Sequence, residues 1–365
     1  MATIYDIAFA NIHGIGPSMA KEIMKVYSST EEFFNESKSN LEKIFKTKTR
    51  TINDIVNKTM FARVEKEMEF MERYNIRSLF FTCHDYPKRL LEIPDNPICL
   101  YVQGNCDLNM DRMVGVVGTR NATDYGTEQC QKIISSLKEY NVGIVSGLAY
   151  GIDSISHRQS IKEDIPTFAV LGHGLDIIYP KQNHDLAIEM MKNGGLITEF
   201  MTSTKPERYN FPRRNRIIAG LCDCVIVVEA AKKSGSLVSA DLAVQYNREV
   251  FALPGRLGDV YSEGCNYLIS SQRANIIHDT KDIIGIMNWE TNRPCLLKTK
   301  PIKPSHLSNK ESIVYDIIDK KEEIHIDDIG LECPLSSSEL ASCLLNLELE
   351  GIIRCLPKKT YKISS

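Results

Sequence analysis

Seven short apolar runs follow one another between residues 114 and 278: VGVVG (114–118), VGIVS (142–146), TFAVL (167–171), LITEF (196–200), CVIVVE (224–229), VFALP (250–254) and NIIH (275–278). Runs rich in Val and Ile, without strict polar alternation, predict strands covered on both faces. The segments between them are long enough for crossover helices, so this region predicts an α/β fold with a doubly wound, mostly parallel sheet. Ligands of such sheets sit outside the carboxyl ends of the strands. That rule singles out the loops Gly118-Thr119-Arg120-Asn121, Ser146-Gly147-Leu148-Ala149, Gly172-His173-Gly174, Glu199-Phe200, Ala230 to Ser236, and Pro254-Gly255. Glycine lets the backbone approach a ligand closely, and helix N-termini behind such loops favour an anion.

Four segments are predicted. Residues 1–75 are helical and polar with periodic apolar positions, and residues 78–288 carry the sheet. The stretch TNRPCLLKTKPIKPSHLSN (291–309) has X-Pro steps and no periodicity, and reads as a linker. Residues 310–365 form a small further domain. A chain of 365 residues, 43% hydrophobic and 25% charged, has the composition of a globular protein with two or three domains.

Several function classes fall away. The N-terminus lacks the basic start and apolar stretch of a secretion signal, and no apolar run approaches the roughly 20 residues that span a bilayer, so the expected location is the cytoplasm, without membrane contact. Eleven cysteines scattered through a long chain, none in a CxxC pair, read as reduced thiols. The first glycine loop, GVVGTRNATDYG, lacks the G-x-G-x-x-G spacing of a dinucleotide fold, and no G-x-x-x-x-G-K-[ST] loop is present. His157, His173, His184 and His278 have no metal-ligand spacing. No cofactor, metal or nucleophilic triad is therefore expected.

A net charge of −3 argues against coating nucleic acid by bulk charge, so anion binding has to be local. The stretch Lys205, Arg208, Arg213, Arg214, Arg216 is opposed only by Glu207. A guanidinium pairs bidentately with phosphate oxygens, and Phe211, Tyr179 and Phe200 offer faces on which bases stack. The alternative is that Arg213, Arg214 and Arg216 pair with carboxylates such as Glu199, Asp223 or Glu229 and pin a helix. His157 has a structural reading on its helix, whereas His173, between two glycines, is a candidate ligand contact.

Together these loops resemble the DprA/Smf family of DNA-processing proteins. The residues that carry the resemblance are Gly118-Thr119-Arg120, SGLAYGID (146–153) with His157, VLGHGLDIIYP (170–180), GGLITEF (194–200), FPRRNRIIAGL (211–221), VIVVEAAKKSGSLVSADLA (225–243), REVFALPG (248–255) and GCNYLI (264–269). The resemblance implies an extended Rossmann-like domain that forms a homodimer, binds single-stranded DNA and loads the RecA recombinase onto it, including strands held by single-strand binding protein, during natural transformation. It implies no catalytic reaction. The phosphate-binding loops it implies are Gly118, Thr119 and Arg120, Ser146 and Gly147, Arg213, Arg214, Asn215 and Arg216, and Lys232, Ser234, Gly235 and Ser236; His173, Tyr179, Lys181 and Phe211 complete the expected DNA-contacting set. Tyr150 stands where the family usually has a basic residue, His173 where it has a small or thiol residue, and Ser239 where it has threonine.

The alternative from a different class is a hydrolase of nucleoside 5′-monophosphates on a similar fold. It needs a Gly-Gly-x-Gly-Thr loop followed by glutamate; here Ser234-Gly235-Ser236 is followed by no carboxylate before Asp241. At the chain ends, IHGIGPSMAKEI (12–23) resembles a helix-hairpin-helix, whose Gly14-Ile15-Gly16 turn either points amides at a phosphate or only packs two helices. Residues 310–363 resemble a winged helix, with Ser336 and Glu339 as a capping box, Gly351 as a helix stop and Lys358-Lys359 at the wing tip. Its excess of carboxylates favours a protein-contact role over groove binding.

Overall fold

The computed structural model describes residues 2–46, 48–289, 307–321, 324–356 and 360–363. The chain divides into two compact units, Met1–Thr291 and Asn292–Ser365.

The larger unit opens with six helices, α1 (Ile4–Ala10), α2 (Pro17–Val26), α3 (Thr30–Phe34), α4 (Lys38–Phe45), α5 (Thr49–Val56) and α6 (Phe61–Arg73), followed by β1 (Ile76–Phe80), α7 (Lys88–Leu91) and β2 (Cys99–Gly104). An alternating series follows: β3 (Arg112–Val117), α8 (Asp124–Leu137), β4 (Val142–Ser146), α9 (Ile152–Lys162), β5 (Thr167–Val170), α10 (His184–Met190), β6 (Gly194–Thr198), α11 (Asn210–Leu221), β7 (Cys224–Val227), α12 (Gly235–Gln245), β8 (Glu249–Ala252), α13 (Glu263–Ser270), β9 (Asn275–Ile276) and α14 (Thr280–Ile286). The sheet order is β1-β2-β6-β5-β4-β3-β7-β8-β9. All seven strands read from the apolar runs are present and mutually parallel. The structure adds two more, β1 and β2, which extend the β6 edge antiparallel.

Burial on both faces explains the apolar runs. Along β3, Met113 and Val117 enter one core while Val114 and Val116 enter the other; along β7, Val225 and Val227 divide from Cys224 and Ile226 in the same way. With period 2 and two dry faces, every position is apolar. From β3 the chain winds outward through β4, β5 and β6, then returns across the sheet to β7 on the other side of β3. The β3/β7 boundary is therefore the topological switch point, where doubly wound sheets leave a crevice at their carboxyl ends.

The helices ahead of the sheet share its core. Phe9 of α1 packs edge-on against Phe33 of α3, with ring centroids 5.3 Å apart, and against Phe80 of β1 at 6.0 Å. Buried Glu67 of α6 accepts from the Thr202 amide at 3.0 Å, and Arg63 donates to the Thr202 carbonyl at 2.6 Å. At the hairpin turn Gly14 has φ +93°, and a Cβ there would press on Thr51 Oγ1, so the position requires glycine. Cys222 and Cys224 are buried free thiols, the small apolar fillers expected.

The second unit comprises α15 (Asn309–Lys321), β10 (Ile324–His325), α16 (Ile326–Glu332), α17 (Ser337–Leu349), β11 (Ile353–Leu356) and β12 (Thr360–Ile363). The three helices and the β11–β12 hairpin match the winged-helix expectation, with β10 as an additional strand on β12. Ser336 and Glu339 form the capping box, and Gly351 follows α17 at φ +72°. Lys358 and Lys359, and residues 291–306 of the expected linker, lie outside the described residues. Among the described residues no helix is long and apolar enough to cross a membrane.

Because Phe9 joins α1, α3 and β1, Phe9→Ala is expected to cost about 3–5 kcal/mol. Urea unfolding followed by circular dichroism should show the helices and the sheet losing structure in one transition, shifted to lower denaturant.

Candidate nucleic-acid interface

A pocket of about 290 Å³ opens at the switch point. The loop after β3 gives it Gly118, Thr119 and Arg120, the loop after β4 gives Ala149, the first turn of α9 gives Asp153, and α11 gives Phe211, Arg214 and Asn215. Ser234, Gly235, Ser236 and Ser239 at the start of α12 close it.

Arg214 is the centre of this arrangement. Its side chain is buried, and Nη1 donates to the carbonyls of Gly147 and Val170, both at 2.5 Å, while Nε donates to Asn215 Oδ1 at 3.1 Å. The guanidinium thus ties α11 to the ends of β4 and β5. A Cβ at residue 147 would run into that guanidinium, which is why the loop needs glycine there. Asp153, in the first turn of α9, accepts from the amides of Gly147 at 3.1 Å and Ala149 at 3.3 Å. Burial pushes the Asp153 carboxyl above its usual range, against the opposing pull of Arg214 and its amide donors. Burial likewise pulls Arg214 below its usual range despite Asp153. The hydrogen-bond partners of the guanidinium, the Gly147 and Val170 carbonyls and the Asn215 side chain, are all neutral, so they orient it without cancelling its charge.

Phe211 stands at the mouth. The Arg120 guanidinium lies 5.7 Å from its ring centroid, that of Arg214 lies 5.9 Å away, and the Tyr179 ring is 6.2 Å distant with a 36° tilt. Arg120 is exposed, and Tyr179 is 44% exposed. Ser234 precedes α12 as its N-cap but bonds sideways to Ser236 Oγ at 2.7 Å without capping the helix. The first-turn amides of α12 therefore face the pocket without a side-chain acceptor.

Several expected residues stand elsewhere. Ser146 is buried and its hydroxyl donates to the Val116 carbonyl at 2.6 Å, inside the sheet. His173 is 1% exposed, its Nδ1 is 3.0 Å from the Gly174 carbonyl oxygen, and burial lowers its pKa, so it supports its loop from within. Arg216 is held by the Asp95 carbonyl and by Glu199, which is the helix-pinning alternative at that position. Arg213 lies 3.7 Å from Glu199 and 4.9 Å from the Phe200 ring centroid, but its side chain remains 55% exposed and lines a different cavity. The other two carboxylates considered as arginine partners are engaged elsewhere: Asp223 with Arg89 at 2.6 Å, and Glu229 with the Thr123 amide at 3.0 Å. Lys181 and Lys232 are exposed outside the pocket lining, and the Tyr150 hydroxyl bonds Gln182 at 2.5 Å.

Asp153 is a pocket residue that the sequence reading quoted within a motif but did not single out, and Ser239 was noted there only as standing in place of a threonine. The position of Asp153 in the first turn of a helix behind a glycine loop was the available signal.

Switch-point geometry, a buried guanidinium and an open helix N-terminus together define an α/β protein whose pocket has the chemistry to accept an anion. Residues 77–288 match the family model of DNA recombination-mediator protein A, and residues 298–359 match that of the DprA winged helix domain. The chain is 35% identical over 284 residues to protein Smf of Synechocystis, covering 77% of this chain and 69% of the relative. It is 34% identical over 299 residues to Smf of Escherichia coli, covering 80% and 79%. The X-ray structure of DNA processing protein A from Streptococcus pneumoniae superposes with a TM-score of 0.68 at 32% identity, covering 78% of this chain and 98% of that one. The Helicobacter pylori protein, whose structure was described for its single-stranded DNA binding mode, gives 0.54 at 30% identity, covering 60% and 98%. The chain belongs to the DprA/Smf family of DNA processing proteins.

His157 supplies a test of the buried wall behind the pocket. It is fully buried, Nδ1 lies 2.7 Å from Thr167 Oγ1, and burial lowers its pKa to about 3. Its folded pKa lies below the ordinary value of about 6.5, so the unfolded chain takes up the proton first. Its contribution to stability is complete above about pH 6.5 and lost progressively as pH falls toward 3. The urea midpoint should fall across that window, and less steeply in His157→Gln.

Proposed function

We propose that this chain is a single-stranded DNA-binding recombination mediator that shields incoming strands and loads RecA onto them in the cytoplasm during natural transformation, working as a homodimer. The observation that carries the DNA-binding part is the Phe211 ring, its centroid 5.7 Å from the Arg120 guanidinium and 5.9 Å from that of Arg214, beside the uncapped start of α12. A phosphate fits the guanidinium and the helix amides, and a base stacks on the aromatic face, which is how strands are held without sequence preference. The described binding mode of the Helicobacter pylori relative supports the same ligand class. RecA, single-strand binding protein and the second copy of the chain enter through family membership.

A binding role without catalysis is supported by what surrounds the pocket. Asp153 is the carboxylate among its lining residues, and it accepts hydrogen bonds from two loop amides. Asp241, the first carboxylate after the Ser234-Gly235-Ser236 loop, is paired with Arg273. The arrangement offers phosphate recognition, whereas nucleotide hydrolysis would need a free carboxylate facing the sugar.

Fluorescence anisotropy with a labelled homopolymeric strand at two salt concentrations tests the reading. The wild type should bind with little base preference and a steep salt dependence. Arg120→Ala should weaken binding and flatten the log–log salt slope by about 0.7, the value for one phosphate of a single strand. Arg216→Ala should lower the unfolding midpoint more than the affinity. A wild type that does not bind, or that releases base from a nucleoside monophosphate, overturns the proposal.

A further inference from the structure

Arg213 and Arg214 are neighbours on α11 but open into different spaces. Arg214 lines the switch-point pocket, whereas Arg213 lines a second, larger cavity of about 550 Å³. One wall of that cavity is the hairpin turn before α2, with Gly16 and Pro17; the other carries Glu199, Phe200 and Arg213, and Arg63 of α6 also contributes. Three arginines face one carboxylate among its charged lining residues, Arg63, Arg213 and Arg216 against Glu199.

Two features point to a ligand. The Arg213 guanidinium lies 4.9 Å from the Phe200 ring centroid with much of its length in solvent, a planar platform of the kind on which a base stacks. The Glu199 side chain is nine-tenths buried, and while Oε2 meets the two arginines, Oε1 is buried and has no hydrogen-bond partner among the described residues. A buried acceptor without a partner is costly, and the N–H of a ligand, such as the amino group of a base, would relieve that cost. Beside them, the ten-residue helix α2 starts at Pro17 with Gly16 as an N-cap that offers no side chain; proline has no N–H, so the amides of Ser18 and Met19 are the ones open to a phosphate.

Resting on the proposed single-strand function, we propose that this cavity is a second station on the same strand. A strand seated at Arg214 and Phe211 crosses the N-terminal turn of α11, stacks a base on the outer face of the Arg213 guanidinium, which buried Phe200 backs, and lays the next phosphate at the start of α2. The hairpin turn then takes part in binding as well as packing two helices, and the gap between the α helices and the sheet becomes part of the strand's track.

Gly16 allows a clean test. Its backbone is extended at φ −97° and ψ 174°, and a Cβ there meets nothing within 4 Å. Serine and aspartate are both good N-caps, so Gly16→Ser and Gly16→Asp should fold as well as the wild type, checked by thermal melting. Only aspartate puts a negative charge where the phosphate is expected. The full chain would be titrated with labelled oligodeoxycytidines of about 4 and about 16 nucleotides, which bracket the lengths held by single-strand sites.

With the long strand, Gly16→Asp should bind roughly fivefold more weakly than Gly16→Ser, as a charge at a helix N-terminus predicts, and the salt slope should fall by about 0.7. With the short strand, which fills only the first pocket, the two variants should bind alike. Equal affinity and slope for the long strand in both variants would overturn the second station while leaving the first intact. Failure of the wild type to bind either strand would overturn the first, and this one with it.

Discussion

A guanidinium in a protein interior needs partners for its donors, and Arg214 finds them for Nη1 in the carbonyls at the ends of β4 and β5 and for Nε in Asn215. The two carbonyl bonds fix where α11 stands over the sheet. They also explain the loop that receives them: Gly147 can carry no side chain because the guanidinium occupies the space, and Asp153 accepts from the loop's amides to keep its carbonyls turned inward. The position of Phe211, and with it the aromatic mouth of the pocket, follows from the same anchoring, three residues earlier on the helix. The proposed binding surface is thus the outer end of a buried polar network that is already assembled in the free protein. Such preorganisation lowers the entropy a strand would lose by ordering the site itself.

Three arginines within four positions share no single task. At roughly 100° per residue, positions 213 and 214 of a helix point to different sides, and 216 returns toward the side of 213. Arg214 braces the sheet edge, Arg216 is locked between Glu199 and the Asp95 carbonyl, and Arg213 keeps an exposed guanidinium over Phe200. Glu199 couples two of them, since the same carboxylate oxygen faces both. Moving it would therefore affect the packing of α11 and the presentation of Arg213 together.

The parallel part of the sheet was legible because burial on two faces leaves unbroken apolar runs, and the switch-point rule then located the pocket. β1 was not legible: its five residues include Arg77, whose guanidinium donates to the Cys106 carbonyl, and Ser78, whose hydroxyl accepts from the Ala2 amide, so it lacks both a continuous run and an alternation. For the site, residue type was readable and side-chain direction was not. Ser146 and His173 have suitable chemistry in suitable loops, yet each satisfies its polar atoms inward. The glycines flanking His173 suggested an open loop, but Thr198 Oγ1 donates to the His173 carbonyl at 2.8 Å and draws the segment against β6.

The match to the recombination-mediator family begins at residue 77, one position into β1. The hydrophobic core does not respect that line, because Phe80 and Leu79 lie in one cluster with Phe9, Phe33 and Ile55. The helical segment is therefore not an appendage that could be exchanged freely among relatives. A lineage that lost it would have to recolour the outer strands with polar residues, and one that kept it is committed to co-varying both sides of that seam. Inheritance in this family can thus be expected to follow the packing, with the first strand travelling with the helices that cover it.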